Sequence, residues 1–314
     1  MLSGLALADL AWLMVAAVAI DLLVGEARRW HPLVGFGNLA SALEHRLNRG
    51  RVRKVRGILG WLLAVTPLVA LSAWLAGAGG FAVHVALLYF SLGLRSLRDH
   101  NLPIARALGA GDIGGARRLT ARIVSRDTSG LDEPALAKAS IESLLENGND
   151  AVFGTLFWFA VAGGPGALLF RLANTLDAMW GYRNARFGDF GWMAARFDDA
   201  LNLPAARLTA LSYVMLAGDR RRALRCWRKQ APAWPSPNAG PVMASGAGAL
   251  GVELGGSATY DGVLEQRPVL GDGRTPTADD IVRAWRLVLG TTLLWLGFGT
   301  MFAMTNYLIG EGYA

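Results

Sequence analysis

Long apolar runs alternate with short polar passages along the chain, and the length of each run predicts its element. Residues 5–24 form an apolar stretch long enough to cross the roughly 30 Å hydrocarbon core of a bilayer as a helix. Residues 57–94 contain no Lys, Arg, Asp or Glu. That is too long for one span and right for two, with a kink expected at Pro67 and a turn at Gly77-Ala-Gly-Gly80. Residues 287–309 are uncharged and supply a last span. The run 151–173 is interrupted by Gly163-Gly-Pro-Gly166, and two readings compete. A single full span would place 174–202 outside; a re-entrant hairpin would have two arms, each too short to cross. The hairpin is favoured because it keeps every polar cluster on one side. Residues 208–218 are also short for a span. In the polar passages, Asp132-Glu133-Pro134 reads as a helix start and Asp112 as the cap of a helix over 116–124. Residues 234–273, rich in Gly, Pro, Ser and Asn, read as structured loop.

The expected fold is therefore all-α: a polytopic integral membrane protein with about four full spans plus one or two partial or re-entrant segments and cytoplasmic helical loops. It is expected to form a single membrane-embedded domain over 1–314, with 95–150 and 219–283 as the main cytoplasmic segments. Composition supports this class, with 53% hydrophobic and only 18% charged residues in 314. The net charge of +7 gathers in two clusters: Arg46, Arg49, Arg51, Arg53, Lys54 and Arg56, then Arg220, Arg221, Arg222, Arg225, Arg228 and Lys229. Beside apolar spans such clusters follow the positive-inside rule and face anionic lipid, so no nucleic-acid partner is expected. With Arg28 and Arg29 they are expected to lie on the cytoplasmic face of the membrane, and the site with them. The chain begins without the positive region of a cleaved signal peptide, so the first span is expected to be retained.

Single residues narrow the chemistry. Cys226 is the only cysteine, which excludes an internal disulfide and a thiol zinc site. His31, His45, His84 and His100 are too scattered for ligand spacing. Asp9 and Asp21 lie in the first span, where an unpaired acid is costly, and Asp21 is a candidate functional acid.

The most polar passage, 126–150, places Lys138, Glu142 and Glu146 four apart on one helix face, a line that Asp150 extends if the helix survives Gly148. One reading is a solvated face with a surface ion pair; the other is a Mg²⁺ and phosphate site. Asn174 and Asp177 stand three apart, and Asp198-Asp199 are followed by Asn202 and Arg207. Carboxylates and carboxamides at a membrane surface fit Mg²⁺ held for a phosphate-bearing substrate, with capping and solvation as the alternative. Gly246-Ala-Gly248-Ala-Leu-Gly251 matches G-x-G-x-x-G, but no strand precedes it, and small-residue packing is the favoured reading. Ser236-Pro-Asn-Ala-Gly240 leads into that run and could expose N–H groups to an anion.

These passages also occur as an ordered series: DLLVGEARRWHP (21–32), IVSRDTSGL (123–131), ASIESLLENGND (139–150), NTLDAMWGYRNARF (174–187), residues 198–210, SPNAG (236–240) and Arg267-Pro268. Over nearly the whole chain the series resembles the cobinamide-phosphate synthase family of cobalamin biosynthesis, the CobD/CbiB type. It departs at Ala27, Ala151 and Ala205, where the family commonly has proline, glycine and proline; Pro204 stands one position earlier.

The resemblance implies an ATP-dependent amide-forming ligase. It would join 1-amino-2-propanol or its O-phosphate to adenosylcobyric acid, giving adenosylcobinamide (phosphate), with ATP and Mg²⁺ as cofactors. The partners implied are the corrinoid, the aminopropanol (phosphate) and the lipid bilayer, and self-association as a homo-oligomer is open. Glu142, Glu146, Asp150 and Asp177 are the candidate catalytic acids, and Asp198, Asp199, Glu146 and Asp150 the candidate metal ligands. Arg126, Asp127, Thr128, Asn147, Asn174, Tyr182, Arg183, Arg207, Ser236 and Asn238 are candidates for binding substrate or phosphate. Trp180, Tyr182 and Trp192 offer flat surface for a corrin ring. A Mg²⁺-dependent membrane transferase acting on phosphate-bearing lipids or alcohols, and a non-enzymatic transporter or sensor subunit, remain the alternatives.

Overall fold

The computed structural model describes residues 5–26, 31–260 and 262–311; Ala27, Arg28 and Arg29, on which expectations were placed, lie outside these. The helices are α1 (Leu7–Val24), α2 (Pro32–Leu47), α3 (Arg53–Ser91), α4 (Leu94–Gly109), α5 (Ile113–Thr120) and α6 (Glu133–Gly148). A π-helical turn at Asn149–Phe153 leads into α7 (Gly154–Trp180). There follow α8 (Trp192–Leu216), α9 (Arg220–Gln230), α10 (Ala239–Leu250) and α11 (Ala278–Glu311). Two short antiparallel ribbons precede α11: β1 (Leu254–Gly255) pairs with β4 (Val269–Leu270), and β2 (Ala258–Tyr260) with β3 (Val263–Glu265). Among the described residues four helical stretches are long and apolar enough to cross a membrane: Leu7–Val24, Arg53–Gly109, Glu133–Trp180 and Ala278–Asn306. The chain is an all-α polytopic membrane protein. It divides into two compact units, one of Met1–Gly93, Asp150–Asn202 and Leu296–Ala314, the other of Leu94–Asn149 and Leu203–Trp295.

In the first unit, α3 and α7 both fold back on themselves at a glycine. Gly80 (φ 57°, ψ −141°) and Gly163 (φ 64°, ψ −155°) occupy backbone regions that residues with a Cβ avoid. Leu68 and Leu75 before the first break share an apolar cavity of about 420 Å³ with Leu87 and Phe90 after it. A straight helix would hold Leu68 and Phe90 about 33 Å apart. In α7 the Phe170 ring fills the space where a Cβ on Gly154 would sit, although a straight helix would separate the two by about 24 Å. The hairpin reading of 151–173 is therefore the one the backbone adopts. His84, buried after the α3 turn, accepts a hydrogen bond at Nδ1 from the Gly164 N–H (2.9 Å) and so caps the second arm of α7. A lone polar group in an apolar run has found its backbone partner.

The core of this unit gathers Phe36, Trp61, Val65, Phe170, Leu176, Trp180 and Phe190. Outside it, Glu44 of α2 pins the loop after α7. Arg186 donates to both its oxygens (Nε–Oε1 3.1 Å, Nη2–Oε2 2.7 Å), and Asn48 adds a third bond (2.7 Å). The Arg186 hydrogen bond holds the Glu44 carboxyl below the usual carboxylate range, with Asn48 helping against the cost of burial. A depressed acid stabilises the fold above its unfolded pKa of about 4.3, and that contribution is lost as pH falls through the lower folded value. The melting temperature should accordingly fall more steeply below about pH 4.3 in the wild type than in Glu44→Gln. Parallel melting curves against pH would remove Glu44 as the source.

In the second unit α10 replaces the expected loop. Its residues are almost all buried. Gly246 lies against Leu145 of α6, and Gly248 against Ala223 and Cys226 of α9. Small side chains let three helices approach closely, and this packing outweighs the poor helix propensity of Gly and Ser. The G-x-G-x-x-G match is thus a packing surface, ended by Gly251 in the left-handed conformation (φ 68°, ψ 41°). Ser236 lies in the turn ahead of the helix, its Oγ accepting from Ala239 N (3.1 Å) and Asn238 N (3.3 Å). Those amides already have acceptors, so they are not open to an anion as the sequence pattern suggested.

Candidate active site

Four of the predicted acids converge in the first unit. Asp150 comes from the π turn, Asp177 from α7, and Asp198 and Asp199 from α8. Asp198 is buried, and its two oxygens accept from Asn174 (3.4 Å) and Asn202 (3.3 Å). Asn202, one helical turn further on, also donates to Asp150 (3.1 Å), so one carboxamide bridges two acids. Burial first, then the charges of Asp150 and Asp177, push the Asp198 carboxyl well above the usual carboxylate range. Burial also raises Asp199, against the pull of Arg196 and Arg183. Local structure accounts for the convergence. Asn174 and Asp177 project from neighbouring positions of one helix, as do Asp198 and Asn202. The π turn inserts a residue into the helical register, which takes Asp150 off the Glu142–Glu146 line that a continuous α-helix would have extended.

Among the described residues no three His, Cys, Asp or Glu side chains are spaced as a ready-made metal cage. The donors present still suit Mg²⁺, which prefers oxygen and completes its shell with waters and phosphate oxygens around one or two carboxylates. A cation would also relieve the repulsion at Asp198. Glu146, the fourth predicted metal ligand, belongs to the second unit.

The remaining predicted residues of 126–147 build a different structure. Glu142 is 3% exposed and fully engaged. It accepts from Arg126, from Arg267 (3.3 Å) and from the Gly255 N–H of β1 (2.7 Å). Arg267 also lies over the Trp234 ring at 5.4 Å. Lys138 does not pair with Glu142: it reaches Glu253 (3.8 Å) and the Gly255 carbonyl (3.3 Å). The solvated-face reading therefore fails at Glu142, because partners more than a hundred residues away close over it. Asp127 and Thr128 shape the loop, Asp127 accepting from Ser129 N (2.8 Å) and Thr128 donating to the Arg117 carbonyl (3.2 Å). Exposed Glu146 adds its charge to the field at Arg126, and Asn147 donates to Ser143 (3.0 Å). Arg207 donates to Asn238 (2.6 Å), which joins α8 to the Ser236–Asn238 turn.

Of the aromatic candidates, Trp180 is sealed in the core against Phe190, centroids 5.0 Å apart, and offers no surface to a corrin ring. Tyr182 and Trp192 are exposed, with Lys54 over the Trp192 ring at 3.9 Å. Arg171 is a further charged residue of this unit that the sequence pattern did not single out, and its neighbouring charges are Asp150 and Glu26. Its signal was available: it is the lone charged residue of 151–176.

Residues 14–288 match the family described as CobD/Cbib protein. The chain is 57% identical over 288 residues to the cobalamin biosynthesis protein CobD of Stutzerimonas stutzeri (strain A1501), covering 90% of this chain and 94% of that one. It is 52% identical to the CobD of Chromobacterium violaceum, covering 95% and 97%, and 41% identical to that of Mycobacterium tuberculosis (strain H37Rv), covering 84% and 87%. No solved structure matches.

Proposed function

Because the chain belongs to the CobD/CbiB family of cobalamin biosynthesis proteins, we propose that it catalyses the amide-forming step. In that step a propionate carboxylate of adenosylcobyric acid joins 1-amino-2-propanol or its O-phosphate. A carboxylate does not react with an amine until it is activated. ATP supplies the activation: the carboxylate takes the γ-phosphoryl group and ADP leaves, then the amine displaces phosphate. The balance is one amide, one ADP and one phosphate per turnover.

The observation that carries this reading is Asp198, a buried acid with a raised pKa, flanked by Asp150 and Asp177 and held by two carboxamides. An amine arrives as an ammonium ion and must lose a proton before it can attack. A concentration of negative charge draws the ammonium in, and a carboxylate with a raised pKa takes up the proton. Asn174 and Asn202 fix the direction of the accepting oxygens. Mg²⁺ held by Asp150, with waters and phosphate oxygens completing its shell, would neutralise phosphate charge during activation and leave Asp198 available as the base. The basic clusters support a site that faces the cytoplasm, and the bacterial relatives support the inner membrane as its location.

A bacterium lacking this protein should grow on cobinamide but not on cobyric acid when cobalamin is required, and the gene should restore growth on cobyric acid. Growth of the deletion strain on cobyric acid would count against the proposed step.

A further inference from the structure

Arg171 stands in the second arm of the α7 hairpin, between buried Phe170 and Leu172. An arginine in an apolar helix is costly to insert, so its presence calls for a partner or a task. Its Nε is buried and makes no hydrogen bond among the described residues. On the first arm of the same hairpin the Thr155 hydroxyl is likewise buried without a hydrogen bond. The acids that act on Arg171 through space are Asp150 of the π turn and Glu26 after α1, and His31 at the start of α2 feels its charge. Asp150 in turn acts on Asp177 and Asp198. Arg171 and Asn174 are three residues apart, so the arginine shares a helix face with the carboxamide that reaches Asp198. One cation thus borders a cluster of acids, with a guanidinium donor still unused.

We propose that Arg171 binds an oxyanion of the reacting acid, the carboxylate or the acyl phosphate formed from it. The charge of Asp150 then holds the guanidinium at the edge of the acid cluster. The assignment rests on the ligase reading and sharpens it: the anionic reactant lies at Arg171 and the ammonium ion at the neighbouring acids, so the two groups that must combine are drawn to adjacent places. A planar guanidinium offers two parallel donors to a carboxylate or phosphate, whereas an ammonium is a single point charge.

The test uses the full chain in detergent micelles, with inorganic phosphate and adenosylcobyric acid as separate probes of melting temperature, alongside steady-state kinetics. At least one probe should raise the melting temperature of the wild type and fail to raise that of Arg171→Met. Loss of an oxyanion donor should lower kcat/KM on the order of 100-fold. Arg171→Lys, which keeps the charge, covers the case in which the methionine variant does not fold; it should bind weakly and turn over slowly. The probe that responds identifies the bound group as phosphate or carboxylate. If Arg171→Lys keeps both the thermal shift and the rate, Arg171 is no anion site. The anion site is equally overturned if Arg171→Met loses stability that Asp150→Asn restores with ligand shifts intact, since Arg171 is then only a counter-ion. A shift that depends on Arg171 in a protein that forms no amide keeps the anion site and removes the ligase reading.

Discussion

Replacing Glu142 by alanine should destabilise the protein by about 3–5 kcal/mol, because it leaves two buried guanidinium groups without their shared carboxylate. Arg126 and Arg267 are only 9% and 13% exposed in their side chains, so water does not take over the lost contact. The Gly255 N–H loses its acceptor as well. At roughly 2–4 °C per kcal/mol the melting temperature should fall on the order of 10 °C. Glu142→Gln keeps the shape and one hydrogen-bonding oxygen, and should fall between that and the wild type. Adding Arg126→Met to Glu142→Ala removes one stranded charge and should recover part of the loss. Unchanged melting of Glu142→Ala would mean that the two arginines are not held by this carboxylate.

Asp198→Asn should do the opposite to stability and much more to activity. Asp198 has a raised pKa in the folded protein, so the folded state keeps its proton to higher pH than the unfolded chain does. Wild-type stability should therefore fall as pH rises from the unfolded value, near 3.9, to the raised folded value, and stay lowered above it. Asparagine carries no such charge. The variant should melt higher than the wild type at pH 8, and the fall with pH should be reduced. Its amide cannot accept the proton of an ammonium ion, and a general base typically contributes about 10²–10⁴-fold. A site that gives up stability for reactivity behaves in this way. An Asp198→Asn protein that melts lower and makes product at the wild-type rate would assign Asp198 to structure alone.

Much of the fold follows from run length. The first span, the turn at Gly80 and the last span come from long apolar stretches in which only a membrane helix satisfies the backbone. The fold-back at Gly163 was legible for the same reason, once arms too short to cross were weighed against a single span. α10 was not, because Gly, Ala and Ser show no hydrophobic period; its helix is imposed by α6 and α9 closing on small side chains. The acids show the same division. The residue types and their spacing on α7 and α8 were visible, but their convergence also depends on the π turn, which no local pattern announces. Glu142 and Glu146 share one periodic face, yet one is buried and the other exposed. The difference arises from Arg267 and the Gly255 amide, which are distant in sequence. Arg171 is visible in the sequence as a lone charge, but one cation in a long apolar run barely changes the pattern from which the element is inferred.

The most direct measurement is a reaction with the purified full chain in lipid nanodiscs. Adenosylcobyric acid and MgATP are supplied with either 1-amino-2-propanol or its O-phosphate, and the products are followed by mass spectrometry and phosphate release. The predicted result is an amide from at least one of the two amines, formed with one phosphate per amide and lost in Asp198→Asn. A folded protein that forms neither amide, with no phosphate release dependent on the corrinoid, would contradict the assignment.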